Sequence, residues 1–405
     1  MKNKAAVLGG GACGQMFAAD LSLAGWEVHL YELPEFKSEF EDVINGKKIE
    51  IVGNQLNSKG LNLSSIADID VATTNLEEVL EKQFKRGGTA DIDVVTTSIE
   101  EALEGLDLIN VCVPAVGHEA FFQTMMPHLK DGQIISVFPD NFGSLVLRKM
   151  LRQGGVDVDI VVGGWDTMPG AFRLVKPGKV DCVCRAVQLR GDTLPSNDWE
   201  DFFEVMKDFP LFDPAEIAHG DTVIDIGLSN PNPVVHCVGT LLSIGAMENA
   251  PPESFDLYRD GLSPSIARAM VAFYHEECLI ADALGVDIAH HADGDFMSRT
   301  NIMVEHYLGK DLTVGFDEVW PVENPTGPFS VESRYLTEDI PMGTCARYSL
   351  ARYFDVEVPI IESIIRLASA VCGRDFMQEC RSVEKIGLSG MSRDEILIYL
   401  REGKI

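Results

Sequence analysis

A glycine-rich turn near the start of the chain constrains the fold more than any other feature of the sequence. Residues 5–8 form a short apolar run, and the pattern G-x-G-x-x-G follows directly at 9–14. Between a strand and a helix, this spacing lets the backbone turn tightly and come close to a diphosphate. The first N–H groups of the following helix favour an anion at the same place. The predicted cofactor contacts in this turn are Gly9, Gly11, Ala12, Cys13 and Gly14.

A carboxylate follows the second predicted strand, which covers residues 27–31. Glu32 stands 18 residues past Gly14, where an acidic side chain accepts hydrogen bonds from the adenosine ribose hydroxyls. Its charge would repel a 2′-phosphate, and the nearest following cation is Lys37. These residues predict NAD as the cofactor, with NADP less favoured.

The order of predicted elements indicates two domains of different class. Short β-branched runs alternate with helical stretches in the first half, and this alternation is typical of a parallel sheet with crossover helices. From about residue 232 onward, apolar residues recur at helical spacing. We therefore predict an α/β Rossmann domain with a doubly wound parallel sheet over 1–200, followed by a mainly α-helical domain over 201–405.

One segment of the first half is duplicated. Residues 67–81 return as residues 90–104, with eleven of the fifteen aligned positions identical. Two copies are too few for a solenoid. The second copy leads into a predicted strand at Leu108, so we expect it to feed the sheet. We expect the first copy to lie at the periphery or to extend the sheet edge, and we assign no chemistry to the duplication near 67–105.

The charge of the chain excludes several classes of partner. Lys and Arg total 33 against 63 Asp and Glu, for a net charge of −30. A nucleic acid or an anionic membrane requires a basic surface, so neither is an expected partner. No apolar run is long enough to span a bilayer, and the nine cysteines contain no C-x-x-C pair. We predict a cytoplasmic protein with reduced thiols and no metal site.

The cofactor domain leaves the reaction open, and the second half supplies the candidates. No lysine lies between Lys207 and Lys310, which argues against a catalytic lysine in that stretch. His236 follows Asn232 by one helical turn. A lone histidine on a helix is more often a packed core residue than a catalyst. A carboxylate held against it would fix its tautomer, and the segment 333–343 supplies carboxylates. Arg334 nearby offers a fork for a substrate carboxylate.

Several motifs in this order resemble the opine dehydrogenase family, also described as the octopine/nopaline dehydrogenases. The likeness covers nearly the whole chain, and the N-P-x-x-H and R-Y-x-x-E-D-I-P elements are its most distinctive parts. Cys237 departs from it, since relatives usually have proline after the histidine. The motifs that carry the resemblance are the glycine turn, V-P-A-V-G-H at 113–118, D-G-Q at 131–133, N-P-V-V-H at 232–236, Y-R-D-G-L-S-P-S at 258–265 and R-Y-L-T-E-D-I-P at 334–341.

This resemblance implies roles for individual residues. His236 would be the acid/base, Asp339 its carboxylate partner, Arg334 the clamp for a substrate carboxylate and Asn232 an orienting residue. Pro114 would lie at the cofactor. The implied activity is that of an NAD(P)-dependent oxidoreductase acting on CH–NH donors. Such an enzyme condenses an amino acid with a 2-oxo acid such as pyruvate through an imine intermediate.

Two alternatives remain open from the sequence. One is a related dehydrogenase that reduces a simple 2-oxo or 3-oxo acid without an amine. The other is a catalytically silent NAD-binding protein, although the presence of both His236 and Asp339 argues against it. In the leading interpretation the partners are a small-molecule amino acid and a 2-oxo acid. The exposed helical faces are compatible with a homodimer.

Overall fold

The structure is a computed structural model that describes residues 3–52, 87–213, 215–298 and 327–404. Its strands are short and concentrated before residue 220, as the predicted domain order requires. Their bounds, in chain order, are β1 (Lys4–Leu8), β2 (Glu27–Tyr31), β3 (Lys48–Val52), β4 (Gly88–Asp91), β5 (Val94–Thr96), β6 (Leu108–Val111), β7 (Ile134–Val137), β8 (Val161–Trp165), β9 (Gly170–Lys176), β10 (Lys179–Arg185), β11 (Gln188–Thr193) and β12 (Glu216–His219).

Helices occupy both halves of the chain. Turns of π-helix occur at Pro233–Cys237, Leu257–Gly261 and Asp339–Thr344. The α-helices are α1 (Ala12–Leu23), α2 (Lys37–Gly46), α3 (Ile99–Leu103), α4 (His118–Met125), α5 (Gly143–Gly154), α6 (Trp199–Met206), α7 (Val223–Leu228), α8 (Val238–Asn249), α9 (Pro264–Leu284), α10 (Arg334–Thr337), α11 (Cys345–Tyr353), α12 (Pro359–Cys372), α13 (Phe376–Glu379) and α14 (Arg393–Glu402).

The described residues form a main sheet of eight strands in the order β12-β11-β8-β7-β6-β1-β2-β5. Every pairing in it is parallel except that between β8 and β11. The strand order reverses around β1, which places the glycine turn at the carboxyl end of the central strand, where such sheets bind ligands. The predicted doubly wound sheet and the helical second half are therefore confirmed.

A second sheet, in the order β4-β3-β10-β9, was not predicted. Two of its strands, β9 and β10, form an antiparallel hairpin with Pro177 and Gly178 between them. This hairpin packs on α1, where the N–H of Gly178 donates to Oε1 of Gln15 at 2.9 Å. The sheet depends on the parallel pairing of β10 with the distant β3, which local sequence patterns do not reveal.

The second copy of the duplicated segment does feed the main sheet. It contributes β4, β5 and α3, and β5 pairs in parallel with β2. The prediction for this copy is therefore confirmed. The first copy, 67–81, lies outside the described residues.

The later part of the chain is helical where the structure describes it. After β12, the described elements are helices and turns, apart from one isolated bridge between Asp256 and Gly327. A capping box formed by Ser392 and Glu395 opens α14. Because β12 still belongs to the main sheet, the sheet extends past residue 200, and the domain division near that residue stays a prediction. No described helix is long and apolar enough to cross a membrane.

Candidate functional site

The glycine turn has the geometry that a dinucleotide requires. Gly9 has φ +115°, and a Cβ there would lie 2.6 Å from Cγ1 of Val113. A Cβ on Gly14 would overlap the carbonyl oxygen of Gly9, so both glycines are needed for packing. Gly11 differs, because a Cβ there would meet no atom of the described residues within 4 Å. In the part of the chain that the structure describes, no side chain caps α1 at this end, so the turn fits a diphosphate in the space beside Gly11.

Glu32 lies beside this turn, at the end of β2. Its Oε2 accepts a hydrogen bond from the N–H of Gly10 at 2.7 Å, and its Oε1 accepts one from the N–H of Leu33 at 2.6 Å. Burial raises the pKa of this carboxyl group, the two backbone N–H groups lower it, and the charges of Glu35 and Glu39 raise it. The acidic groups gathered here would repel a 2′-phosphate.

A cavity of about 520 Å³ continues from the end of β2. Its walls are the residues around Leu33, the turn between β5 and α3, and one face of α4. Leu33 and Ile99 supply apolar surface, while Ser98 and Thr124 supply hydroxyl groups. This lining suits a flat heteroaromatic ring with a few polar edges, as in the adenosine half of a dinucleotide.

The predicted imidazole–carboxylate pair is present in the helical half. Nδ1 of His236 lies 2.8 Å from Oδ2 of Asp339, and the two residues are 5% and 4% exposed. A carboxylate on Nδ1 holds the proton there and leaves Nε2 as the nitrogen that exchanges protons. Nε2 lies 3.1 Å from the hydroxyl of Tyr258, and the ring of Tyr335 stacks on the imidazole with a centroid separation of 3.6 Å.

Three turns of π-helix position these side chains. Pro233–Cys237 holds His236, Leu257–Gly261 holds Tyr258, and Asp339–Thr344 begins with Asp339. Such turns are rare and occur frequently at functional sites, because the extra residue redirects a side chain. The thiol of Cys237 donates to the carbonyl of Tyr335 at 3.5 Å, and it accepts a hydrogen bond from the hydroxyl of Thr344 at 3.4 Å. The cysteine that departs from the family pattern thus joins two of the segments that meet at the pair.

Arg334 lies where this pair meets the cofactor turn. Its side chain is 69% exposed, and Nη1 lies 3.3 Å from Oε2 of Glu338. Burial raises the pKa of the Cys13 thiol to about 11, and the charge of Arg334 acts on that thiol in the opposite direction. The guanidinium group therefore lies close enough to the beginning of α1 to act on Cys13 electrostatically.

Residues of the helical half hydrogen-bond to both the N–H and the carbonyl of Ala115, which follows the exposed Pro114. Its N–H donates to Oε1 of Glu338 at 2.7 Å, and its carbonyl accepts from Nη2 of Arg381 at 2.6 Å. Arg381 also donates to the carbonyl of Asn141 at 2.7 Å, and burial lowers its pKa to about 10. These bonds fix the loop after β6 against the segment that carries Arg334 and Asp339.

A buried ion pair supports the catalytic segments from behind. Arg347 is fully buried and pairs with Glu277. It also donates to the carbonyls of Leu228 at 2.8 Å, Asn230 at 3.1 Å and Gly343 at 3.2 Å. Burial raises the pKa of Glu277 to about 7, against the opposing charge of Arg347. The pair thus ties the residues before Asn232 to the turn that begins at Asp339.

The structure brings together most of the predicted residues. The predicted cofactor residues lie at the carboxyl ends of β1, β2 and β6, and Arg334 stands between them and the His236–Asp339 pair. Asn232 is half-buried, and its backbone N–H bonds to Oδ1 of Asn230, so the role of its side chain stays a prediction.

Four residues at the site were not predicted. Tyr258, Tyr335 and Glu338 lie inside motifs that carry the family resemblance, so the sequence contained a signal for them. Arg381 lies in no such motif, and its contacts join positions more than 200 residues apart.

Comparisons with known proteins agree with this geometry. Residues 219–372 match the family described as NAD/NADP octopine/nopaline dehydrogenase, alpha-helical domain. An opine dehydrogenase of Arthrobacter sp. (strain 1C) is 26% identical to the chain, with 96% of each chain covered. A solved octopine dehydrogenase with NADH and L-arginine superimposes with a TM-score of 0.70 at 19% identity, over 100% of this chain and 99% of that one. A yersinopine dehydrogenase with NADP⁺ bound gives a TM-score of 0.65 at 13% identity, over 99% and 98%.

Proposed function

We propose that this chain is a member of the opine dehydrogenase family, which it resembles in its helical domain and along its length, and that it condenses an amino acid with a 2-oxo acid, such as pyruvate, and reduces the resulting imine. The observation that carries the proposal is the buried His236–Asp339 pair, with the guanidinium of Arg334 between it and the cofactor turn. A proton-transferring group, a carboxylate clamp and a dinucleotide turn at one place are the requirements of this reaction.

NAD is the cofactor, and the residues of the first half fit it. The open space beside Gly11 accepts the diphosphate, and the carboxylate of Glu32 accepts hydrogen bonds from the adenosine ribose. The charges of Glu35 and Glu39 near Glu32 disfavour the 2′-phosphate of NADP. When bound, NADH supplies the hydride that reduces the imine carbon.

His236 moves the protons of the condensation. Because Asp339 accepts the proton on Nδ1, Nε2 gives and takes protons as the carbinolamine forms and loses water. The carboxylate also stabilises the imidazolium form during these transfers. In a site as buried as this one, such a carboxylate contributes more than it would in water.

Arg334 binds the carboxylate of the 2-oxo acid. Its planar guanidinium group can offer two parallel N–H donors, and its interaction with Glu338 at 3.3 Å fixes one end of the group. Solved octopine dehydrogenase has been captured with pyruvate and with L-arginine, which are substrates of these two classes. Asn232, at the start of the turn that carries His236, orients the substrate.

The two predicted domains have different roles. Residues 1–200 bind the cofactor, and residues 201–405 carry Asn232, His236, Arg334 and Asp339. We further propose that the protein works in the cytoplasm and that its exposed helical faces permit a homodimer. The mass of the protein in solution, measured by light scattering, tests the dimer.

Oxidation of NADH, followed by absorbance, tests the proposed reaction. Pyruvate is supplied with and without each of a panel of amino acids, with L-arginine first. We expect activity when both substrates are present, and we expect His236→Ala to abolish it while NADH still binds. Reduction of pyruvate alone at an equal rate would instead identify a simple 2-oxo acid reductase. Binding of NADH without turnover of any pair would identify a silent NAD-binding protein.

A further inference from the structure

The hydroxyl group of Tyr258 contacts Nε2 of His236, the nitrogen through which this residue exchanges protons. Oδ2 of Asp339 lies 2.8 Å from Nδ1, and the Tyr258 hydroxyl lies 3.1 Å from Nε2. We infer that Tyr258 is a further catalytic residue, whose hydroxyl carries the proton between His236 and the reacting oxygen of the substrate. This inference rests on the proposed function and extends its proton-transfer pair to a relay of three groups.

Burial of the imidazole supports a relay over direct contact. His236 is 5% exposed, and Tyr335 covers one face of its ring in a nearly parallel stack of 7°. Tyr258 is half-buried, so its ring joins the buried imidazole to more accessible space. A substrate that approaches Nε2 therefore meets the phenol hydroxyl at that nitrogen.

The backbone holds Tyr258 in this position. The side chain of Asp256, which is 2% exposed, accepts hydrogen bonds from the N–H groups of Tyr258 at 2.9 Å and Arg259 at 3.1 Å. The phenol of Tyr335 also hydrogen-bonds to Tyr258. Because these contacts fix the hydroxyl before substrate binds, little reorganisation is needed at the moment of proton transfer.

The relay balances for the loss of water from the carbinolamine. The Tyr258 hydroxyl gives its proton to the carbinolamine hydroxyl, and the imidazolium Nε2–H of His236 replaces that proton on the phenol oxygen. The C–O bond breaks with its electron pair on the departing water, and the nitrogen lone pair forms the C=N bond. Tyr258 ends unchanged, His236 ends neutral, and the positive charge has passed to the iminium product.

The first test compares Tyr258→Phe with Tyr353→Phe. The first variant keeps the ring but loses the hydroxyl on Nε2, whereas Tyr353 donates to the carbonyl of Met391 at 2.8 Å, outside the site. Because a placed acid/base contributes about 10²–10⁴ in rate, we expect Tyr258→Phe to lower kcat by about 10²-fold without weakening NADH binding. The control should stay within about twofold, since it loses one hydrogen bond elsewhere. Equal kcat values for the two variants would overturn the relay.

Solvent isotope effects separate a relay from a structural role. Single-turnover rates are measured in mixtures of H₂O and D₂O. If two protons are transferred in the same step, the wild-type rate depends on the deuterium fraction along a curve. The rate of Tyr258→Phe should depend on it along a straight line. A structural role for Tyr258 would lower the rate and leave the curvature, and a straight line for wild type would equally contradict the relay.

A third measurement needs no substrate. The ¹⁵N resonance of Nε2 of His236, assigned with His236→Asn, should move in Tyr258→Phe and stay in place in Tyr353→Phe. An unmoved resonance in Tyr258→Phe would contradict the contact itself.

The two proposals fail in different ways. A wild type that oxidises NADH with pyruvate alone contradicts the proposed function, whatever the variant does. A wild type that requires the amine, together with a Tyr258→Phe variant that matches its control, contradicts the relay alone.

Discussion

The two sides of the site are built from different parts of the protein. On the cofactor side, the functional surface is backbone: a turn beside Gly11 with open space in front of it and the uncapped beginning of α1. On the catalytic side, the surface is side chains that distant segments hold together, as in the contact of His236 with Asp339, 103 residues away. Backbone sites tolerate change in most side chains but not at the glycines, whereas side-chain sites depend on each of their buried partners.

The largest effect is expected on the catalytic side, at Asp339. Asp339→Asn keeps the shape of the residue but removes the charge that stabilises the imidazolium of His236. We expect kcat to fall by about 10²–10⁴-fold, the range that placed acid/base groups contribute, with NADH affinity unchanged. Steady-state kinetics and fluorescence titration with NADH check both parts. A fall in kcat below tenfold would mean that the pair is structural.

The cofactor side is tested by a pair of glycine variants. Gly11→Ala adds a Cβ into open space at φ −74°, so the fold should be unaffected, while the methyl group blocks the diphosphate. We expect the Kd for NADH to rise at least tenfold, or about 1.4 kcal/mol, with an unchanged Tm. Gly14→Ala is the contrasting variant, and its Tm should fall because its Cβ overlaps the carbonyl of Gly9. If Gly11→Ala binds NADH as tightly as wild type does, the diphosphate does not lie beside Gly11.

Glu32 is the side chain on which the cofactor side depends. Glu32→Gln retains one acceptor but loses the charge that bonds the ribose and repels a 2′-phosphate. The loss of about 1 kcal/mol of hydrogen bonding corresponds to about fivefold weaker NADH binding, and the preference for NADH over NADPH should narrow. Glu41→Gln, an exposed change on α2, is the matched control. An unchanged NADH/NADPH preference would remove Glu32 from cofactor selection.

The smallest expected effect concerns a buried charge on the sheet side. Burial raises the pKa of Asp140 from 3.8 to about 6, although Ser144 donates to it twice. The carboxyl group of Asp140 thus stays protonated to a higher pH in the folded protein than in the unfolded chain. The stability that this proton contributes is lost as the pH rises through about 6. Asp140→Asn lacks this loss, so its stability relative to wild type should rise by about 1 kcal/mol between about pH 5 and pH 7.

Urea unfolding at several pH values measures that difference. The exposed Asp201→Asn provides the control. A difference between Asp140→Asn and wild type that does not vary with pH would mean that Asp140 is not protonated in the folded protein in this range.

The same contrast explains what the sequence could predict. The glycine turn, Glu32 and the parallel sheet follow from local spacing, because a turn and the helix after it are contiguous in the chain. The His236–Asp339 pair needed the family resemblance, since no local pattern brings residues 103 positions apart into contact. The second sheet, Arg381 and the contact of Tyr258 with Nε2 arise from tertiary packing and have no local signature of their own.

The apolar core has a consequence for how the chain folds. Its larger cluster runs without a break from Leu8 and Val111 in the main sheet to Leu336 and Ile340 beside the catalytic turns. The boundary between the two halves therefore does not divide this larger cluster, whereas the smaller cluster lies within residues 5–217. We expect a single cooperative transition in calorimetry, so that loss of packing in the helical half also opens the nucleotide-binding half.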